Sequence, residues 1–92
     1  MKIGELRCDE ETEEHIWSRH RVPFREVEEA ALQRGFVIRG RAAEVYEVYG
    51  RSEAGRYLMI AVRHMEKGVA RLITARDMSA TERARYRKHT AH

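Results

Sequence analysis

The sequence predicts a single α+β domain, on three observations. Ninety-two residues allow one hydrophobic core and no second. Residues 10–34 carry helix signals, interrupted once by a proline. From Phe36 the pattern changes to four stretches rich in β-branched and aromatic residues, and a capping box then opens a last helix. The expected architecture is a short N-terminal strand and two helices, followed by an antiparallel three- to four-stranded sheet and a C-terminal helix. The domain spans 1–92, with 88–92 as a frayed tail.

Lys2–Cys8 alternates around Ile3 and Leu6 and reads as a short edge strand. Asp9 caps the first helix, where Glu10, Glu11, Glu13 and Glu14 suit the positive end of the dipole. Ile16, Trp17 and His20 are expected on one face. Val22-Pro23 ends that helix, because a residue before proline avoids the α region, and Pro23 opens the second in its first turn. Phe24, Val27, Ala30 and Ala31 form its apolar stripe, and Gly35 stops it.

The stretches "FVIRG", "EVYEVYG", "RYLMIAVRH" and "VARLITAR" read as strands. "RSEAG" and "MEKG" are hairpin-length joins. Tyr57–Val62 is apolar on both faces, which places it centrally. In the last strand, Leu72 and Thr74 should share a face with Arg76, and Ile73 and Ala75 the other. Ser79 and Glu82 form the capping box. Only Ala80, Ala84 and Tyr86 of the final helix can dock, so it should lie lightly on the fold. Helices grouped before a meander suggest a layer against one face of the sheet.

Charged residues make up 36% of the chain, so the core is thin and a partner would add stability. The net charge of +3 hides an asymmetry. Residues 1–33 hold five basic and nine acidic side chains, a balance of −4, whereas 34–92 hold thirteen and six, +7. Two faces with different partners, one of them RNA, DNA or an acidic protein, or solvated charge serving solubility, both fit. One cysteine, Cys8, excludes an internal disulfide, fits a reducing compartment and reads as a small core residue. No apolar run approaches a membrane span, and a cytoplasmic protein is expected.

A metal or cofactor site is not expected. His15 and His20 do not share a helical face, His89 and His92 sit at the chain end, and Gly50, Gly55 and Gly68 are isolated turn glycines rather than a phosphate loop. What remains is arginine at strand ends. Arg51 ends one strand, Arg56 begins the next, Arg63 ends it, and Arg76 ends the last. Arg83, Tyr86 and Arg87 then share a helical face. Arginine forks bind phosphate and stay charged at any working pH. The same arginines could merely keep a sheet edge soluble.

Three blocks resemble a known family, the BrnT toxins. "EEHIWSRHRVPFREVEEA" resembles their N-terminal signature, "GRSEAGRYLMIAV" the central hairpin, and "RLITARDMSATERARYRKH" the C-terminal signature, in the family order and spacing. The resemblance implies a fold like that of the RelE ribonuclease toxins. It implies metal-independent RNA cleavage that inhibits translation, and neutralisation by a small antitoxin of ribbon-helix-helix type. DNA would be met only through that antitoxin, in a hetero-oligomer repressing its own promoter. Residue by residue, Arg19-His20 take the place of the basic-His pair, Arg51 of the arginine before the hairpin turn, Arg76 of the strand-end arginine, and Glu82, Arg83 and Tyr86 of the helix signature. Arg21 stands where the family usually has glycine, which implies a different end to the first helix. Arg19 stands where lysine is common and can bind charge but not act as a base.

The expected catalytic set is therefore Arg76, Arg83, His20, Glu82 and Tyr86. Arg51, Arg76 and Arg83 would stabilise the phosphate, His20 or Glu82 would act as base, and Tyr86 as acid or stacking surface. Arg19, Arg51, Arg56, Arg63 and Arg87 would bind RNA. Each has a plainer alternative: His20 as a packed histidine, Glu82 as a cap, and Arg76 paired with Asp77 or Glu82. A non-catalytic RNA- or protein-binding module is the competing class. The antitoxin is expected on the basic sheet face and final helix.

Overall fold

Local capping chemistry sets the helix limits. In a computed structural model that describes residues 3–33 and 35–90, the first helix, α1, runs from Glu10 to His20. Lys2, Arg34, Ala91 and His92, which belong to expected element ends or metal candidates, lie outside the described residues. The Asp9 side chain accepts from the Thr12 amide at 2.7 Å. At the other end Arg21 adopts the left-handed conformation, φ 52°; its amide donates to the Trp17 carbonyl, and the Val22 amide reaches back to that of Ile16. That is the geometry a glycine would adopt, so arginine does not alter the helix end, although the conformation is uphill by about 1–2 kcal/mol. The second helix, α2, spans Phe24–Leu32, with Pro23 one residue outside it as the cap.

The first strand, β1 (Glu5–Arg7), is the expected edge strand. It is joined by β2 (Phe36–Arg39), β3 (Val45–Arg51), β4 (Tyr57–His64) and β5 (Val69–Asp77) in one sheet of order β1-β5-β4-β3-β2. The antiparallel part has four strands, and β1 adds a fifth, parallel to β5. β4 is central, because both of its faces are apolar. Leu58, Ile60 and Val62 face one layer, and Met59 faces the other.

The first layer holds α1 and α2. Ile16, Val22, Val27 and Ala30 are fully buried against Leu58, Ile60 and Val62. Each of the larger side chains among them, the alanine excepted, contributes about 1.5–3 kcal/mol. Trp17 does not share this face with Ile16 as expected. Trp17 is 49% exposed, with the Arg21 guanidinium 5.2 Å from its ring centre, and His20 is half-buried beside His15. Cys8 packs at the edge of this layer, where burial first, then Glu13 and Asp9, raise its thiol pKa.

The final helix, α3 (Ala80–Thr90), lies on the opposite face of the sheet, not with the other two. Tyr86 packs there with Tyr49, Met59 and Met78, and His89 stacks on Phe36 at 4.4 Å. Ala80 and Ala84 are exposed and do not dock. The helix takes in residues 88–90, which the sequence reading assigned to the tail.

A β-bulge corrects the side-chain phase of β5. Ala61 pairs with Thr74 and Val62 with Leu72, leaving Ile73 as the extra residue, 42% exposed. Leu72 and Ala75 consequently share the α1/α2 face. Arg76, opposite Met59, turns to the α3 face instead of following Leu72.

α2 crosses β3 closely at Gly50, where an added Cβ would collide with the Ala30 carbonyl oxygen. Gly50→Ala should therefore lower stability by about 3 kcal/mol in denaturant unfolding. Gly4→Ala, whose new methyl meets nothing nearer than the Gly68 carbonyl at 3.8 Å, should change it by no more than about 0.5 kcal/mol.

Candidate functional site

The hairpin between β3 and β4 brings Arg51 and Tyr57 directly opposite each other on the α3 face. Its turn is anchored to α2. The Ser52 hydroxyl donates to Glu26 at 2.8 Å and accepts from the Arg56 amide at 3.1 Å, and the Glu53 amide donates to Glu29 at 3.2 Å. Two carboxylates of the acidic N-terminal third thus hold the turn rather than form a free acidic face. Arg51 donates to the Gly55 carbonyl at 3.1 Å, which fixes its guanidinium over the hairpin.

α3 supplies the other wall. Arg83 and Arg87, one turn apart, carry their guanidinium carbons 4.6 and 5.4 Å from the Tyr57 ring centre, and Arg51 adds a third at 4.7 Å. Tyr86 meets the same ring edge-on at 5.8 Å. Arg51, Tyr57, Arg83 and Arg87, with Gly55, Arg56, Asp77 and Met78, border an open cleft of about 470 Å³. Among the described residues, no carboxylate lies within ion-pair distance of Arg51, Arg83 or Arg87. Hydrogen bonding from Arg87 and the charges of Arg51, Arg87 and Arg83 lower the Tyr57 pKa from its usual 10.0. Three cations beside a phenol eased toward ionisation can together attract an anion and exchange a proton with it.

Tyr57 was not among the residues singled out from sequence. It read as the first residue of an apolar strand. The available signal was its position across a hairpin from Arg51, since Arg51 and Tyr57 each stand three residues from Ala54 at the centre of the connection.

Several expected site residues are engaged elsewhere. Arg76 forms a bidentate pair with Glu82 at 2.8 and 2.9 Å, so its charge is met inside the protein. Glu82 also accepts from the Ser79 amide at 2.9 Å, completing the capping box with the Ser79 hydroxyl, and Tyr49 approaches it at 3.5 Å. Arg76 first, with Ser79 assisting, brings the Glu82 pKa from 4.5 down to about 2. An acid this strong is a poor base near neutral pH. Tyr86 is buried and burial raises its pKa, so it serves as packing beneath Tyr57.

Arg56 is a fastener. It donates to Asp77 at 2.6 and 3.0 Å and to the carbonyls of Arg21 and His20 at 2.6 and 3.0 Å, tying the end of α1 to the end of β5. Arg56 in turn lowers the Asp77 pKa. His20 stands behind this pair, close enough for its charge to act on Asp77. Arg19 is exposed on α1, in the layer opposite α3. Arg63 donates to the Ala43 carbonyl at 3.2 Å at the far end of β4, roughly 20 Å from Tyr57 at about 3.3 Å per residue. Among the described residues, no three His, Cys, Asp or Glu side chains gather as metal ligands would, and no helix is long and apolar enough to cross a membrane.

The depressed Glu82 pKa makes a signed prediction. The pair stabilises the fold fully above 4.5, the ordinary value, and its contribution is lost as pH falls toward about 2. Glu82→Gln should cost about 2 kcal/mol at neutral pH in thermal unfolding, and the gap to wild type should close in acid. A gap independent of pH would contradict the assigned pair. Arg56→Ala should likewise lower the unfolding midpoint, by about 2 kcal/mol, because two helix-end carbonyls and Asp77 lose one donor.

No protein-family model and no curated protein matches the chain. Among solved structures it matches the Brucella abortus ribonuclease toxin BrnT, known from a crystal structure at 1.1 Å resolution. The TM-score is 0.67 at 14% sequence identity, over 82% of this chain and 96% of that one. The α+β architecture reached from the sequence is therefore that of a known fold, and this chain folds like the Brucella ribonuclease toxin BrnT.

Proposed function

We propose that the chain is a ribonuclease toxin that cuts RNA at the cleft of Arg51, Tyr57, Arg83 and Arg87. The observation that carries this reading is the convergence of three guanidinium groups, none met by a carboxylate among the described residues, on one tyrosine ring. The likeness to a ribonuclease toxin supports it. The reaction is attack of the RNA 2′-hydroxyl on the adjacent phosphorus. The O2′–P bond forms and the P–O5′ bond breaks, leaving a 2′,3′-cyclic phosphate and a 5′-hydroxyl. Arg51, Arg83 and Arg87 stabilise the charge that builds on the phosphoryl oxygens. Tyr57 donates its proton to the leaving 5′-oxygen, and water carries away the 2′-hydroxyl proton. No step in this scheme requires a metal.

The biological setting follows as part of the same proposal. Cutting messenger RNA in the cytoplasm inhibits translation. A small antitoxin with a ribbon-helix-helix DNA-binding domain neutralises the chain by laying acidic side chains across the cleft, and DNA is contacted only by that partner.

Purified protein incubated with single-stranded RNA should produce fragments ending in cyclic phosphate. Tyr57→Phe and Arg83→Ala should each slow cleavage by roughly 10²-fold. Arg63→Ala should cut as wild type does. Equal cleavage by all four proteins would sink the assignment.

A second reading is favoured by one observation: among the described residues the one carboxylate lining the cleft, Asp77, is paired with Arg56, and nearby Glu82 with Arg76. On that reading the chain binds RNA or protein without cutting. Expression in a bacterial host separates the two, since a binding module leaves growth unaffected, whereas the toxin arrests it until the antitoxin is supplied.

A further inference from the structure

The charge in the cleft exceeds what an internal RNA phosphate needs. Arg51, Arg83 and Arg87 bring three positive charges to one ring, and the remaining cleft ions, Arg56 and Asp77, cancel each other at 2.6 Å. A phosphodiester presents one negative charge. A terminal phosphate presents nearly two above its second pKa of about 6. A cleft of about 470 Å³ also falls within the range of small-ligand sites, roughly 300–1,000 Å³, and so has room for more than a bare phosphate. Tyr57 and Met78 supply apolar surface beside the guanidinium groups.

We propose that this cleft selects a terminal phosphomonoester, the dianionic end of an RNA strand or a mononucleotide, over an internal phosphodiester. The reasoning is electrostatic. With several fixed cations around one phosphoryl group, the second ligand charge is met by donors already in place. The proposal deepens the ribonuclease reading, on which its nucleotide ligand rests: a site matched to two charges is matched to the doubly charged phosphorus centre passed through during 2′-hydroxyl attack. It also implies that mononucleotides ending in phosphate inhibit cleavage.

The test is a thermal-unfolding titration of the full chain in a phosphate-free buffer at constant ionic strength. The ligands are adenosine 3′-monophosphate, the dinucleotide 2′-O-methyladenylyl-adenosine, whose blocked 2′-hydroxyl prevents its cleavage, inorganic phosphate and sulfate. Between about pH 5 and about pH 7.5 the monophosphate should tighten about tenfold, following its dianion fraction across a second pKa of about 6. The dinucleotide should bind more weakly, with no such change. Sulfate, dianionic throughout, should not respond to pH. The titratable or charged groups facing the cleft are Tyr57 and Asp77 on the sheet, Arg51 and Arg56 at the hairpin, Arg83 and Arg87 on α3, and His20 behind Asp77. A sulfate response to pH would mean that one of these, not the ligand, is titrating, and would overturn the proposal. So would equal binding of dinucleotide and monophosphate. Inorganic phosphate binding as tightly as the nucleotide would assign the site to free phosphate instead. Arg83→Ala should weaken the monophosphate about tenfold. Arg87→Lys, which keeps the charge and loses the fork, should fall between it and wild type, and Arg39→Ala, exposed at the far end of β2, should match wild type. An RNA-cleavage assay on the same samples separates the two readings. No cleavage with selective monophosphate binding removes only the ribonuclease, whereas cleavage without that selectivity removes only this proposal.

Discussion

The ion pair between Arg76 and Glu82 decides where the last helix lies, and the cleft depends on that helix. α3 buries one side chain, Tyr86, so apolar packing alone holds it weakly. The bidentate pair and the capping box act at its first turn, where Glu82 serves Arg76 and Ser79 at once. One residue further on is Arg83, and one turn beyond that is Arg87. Fixing the start of the helix fixes both over Tyr57. Glu82 is largely shielded from water, at 15% side-chain exposure, which strengthens the pair relative to a surface one, although Arg76 at 39% remains in part screened by solvent.

That pair exists because of the bulge at Ile73. Strand alternation would have sent Arg76 to the face that carries α1 and α2. The extra residue reverses the phase, and Arg76 emerges on the other face opposite Met59. One inserted residue thus determines which layer receives the arginine, and through Glu82 which layer receives α3. The other layer is fastened by a similar device. Arg56 joins the end of α1 to Asp77, and the hairpin turn is held by Glu26 and Glu29. The strongly charged composition is in large part a set of fasteners, which suits a chain with a thin core.

The five arginines in and beside the cleft consequently divide into two groups by their partners. Arg56 and Arg76 meet carboxylates and are structural. Arg51, Arg83 and Arg87 meet an aromatic ring and keep their charge outward. The pairs are what permit the cleft to concentrate positive charge. With Glu82 held by Arg76, and Asp77 by Arg56, neither neutralises the three that remain.

The helix limits were legible in the sequence because caps are local. Asp9, Val22-Pro23 and the Ser79–Glu82 box act over three or four residues, and each stands where it was read. The central place of Tyr57–Val62 was legible because a strand apolar on both faces must be covered on both. The Arg51, Arg83 and Arg87 positions were also visible as strand-end and helix-face arginines. What alternation could not show was the bulge, since an inserted residue leaves no compositional mark and changes the phase of every later side chain. Sequence named Glu82 as one of two carboxylates open to Arg76, but it could not pair Arg56 with Asp77, because these are 21 residues apart and meet only after the strands pair. Tyr57 became a site residue for the same reason: a ring in an apolar strand gains its character from three guanidinium groups that the fold carries to it. The sequence by itself determined the elements and their order. Only the tertiary structure decided which charges cancel and which stay open, because ion pairing depends on distance in space, and that distance is set by strand register and helix placement.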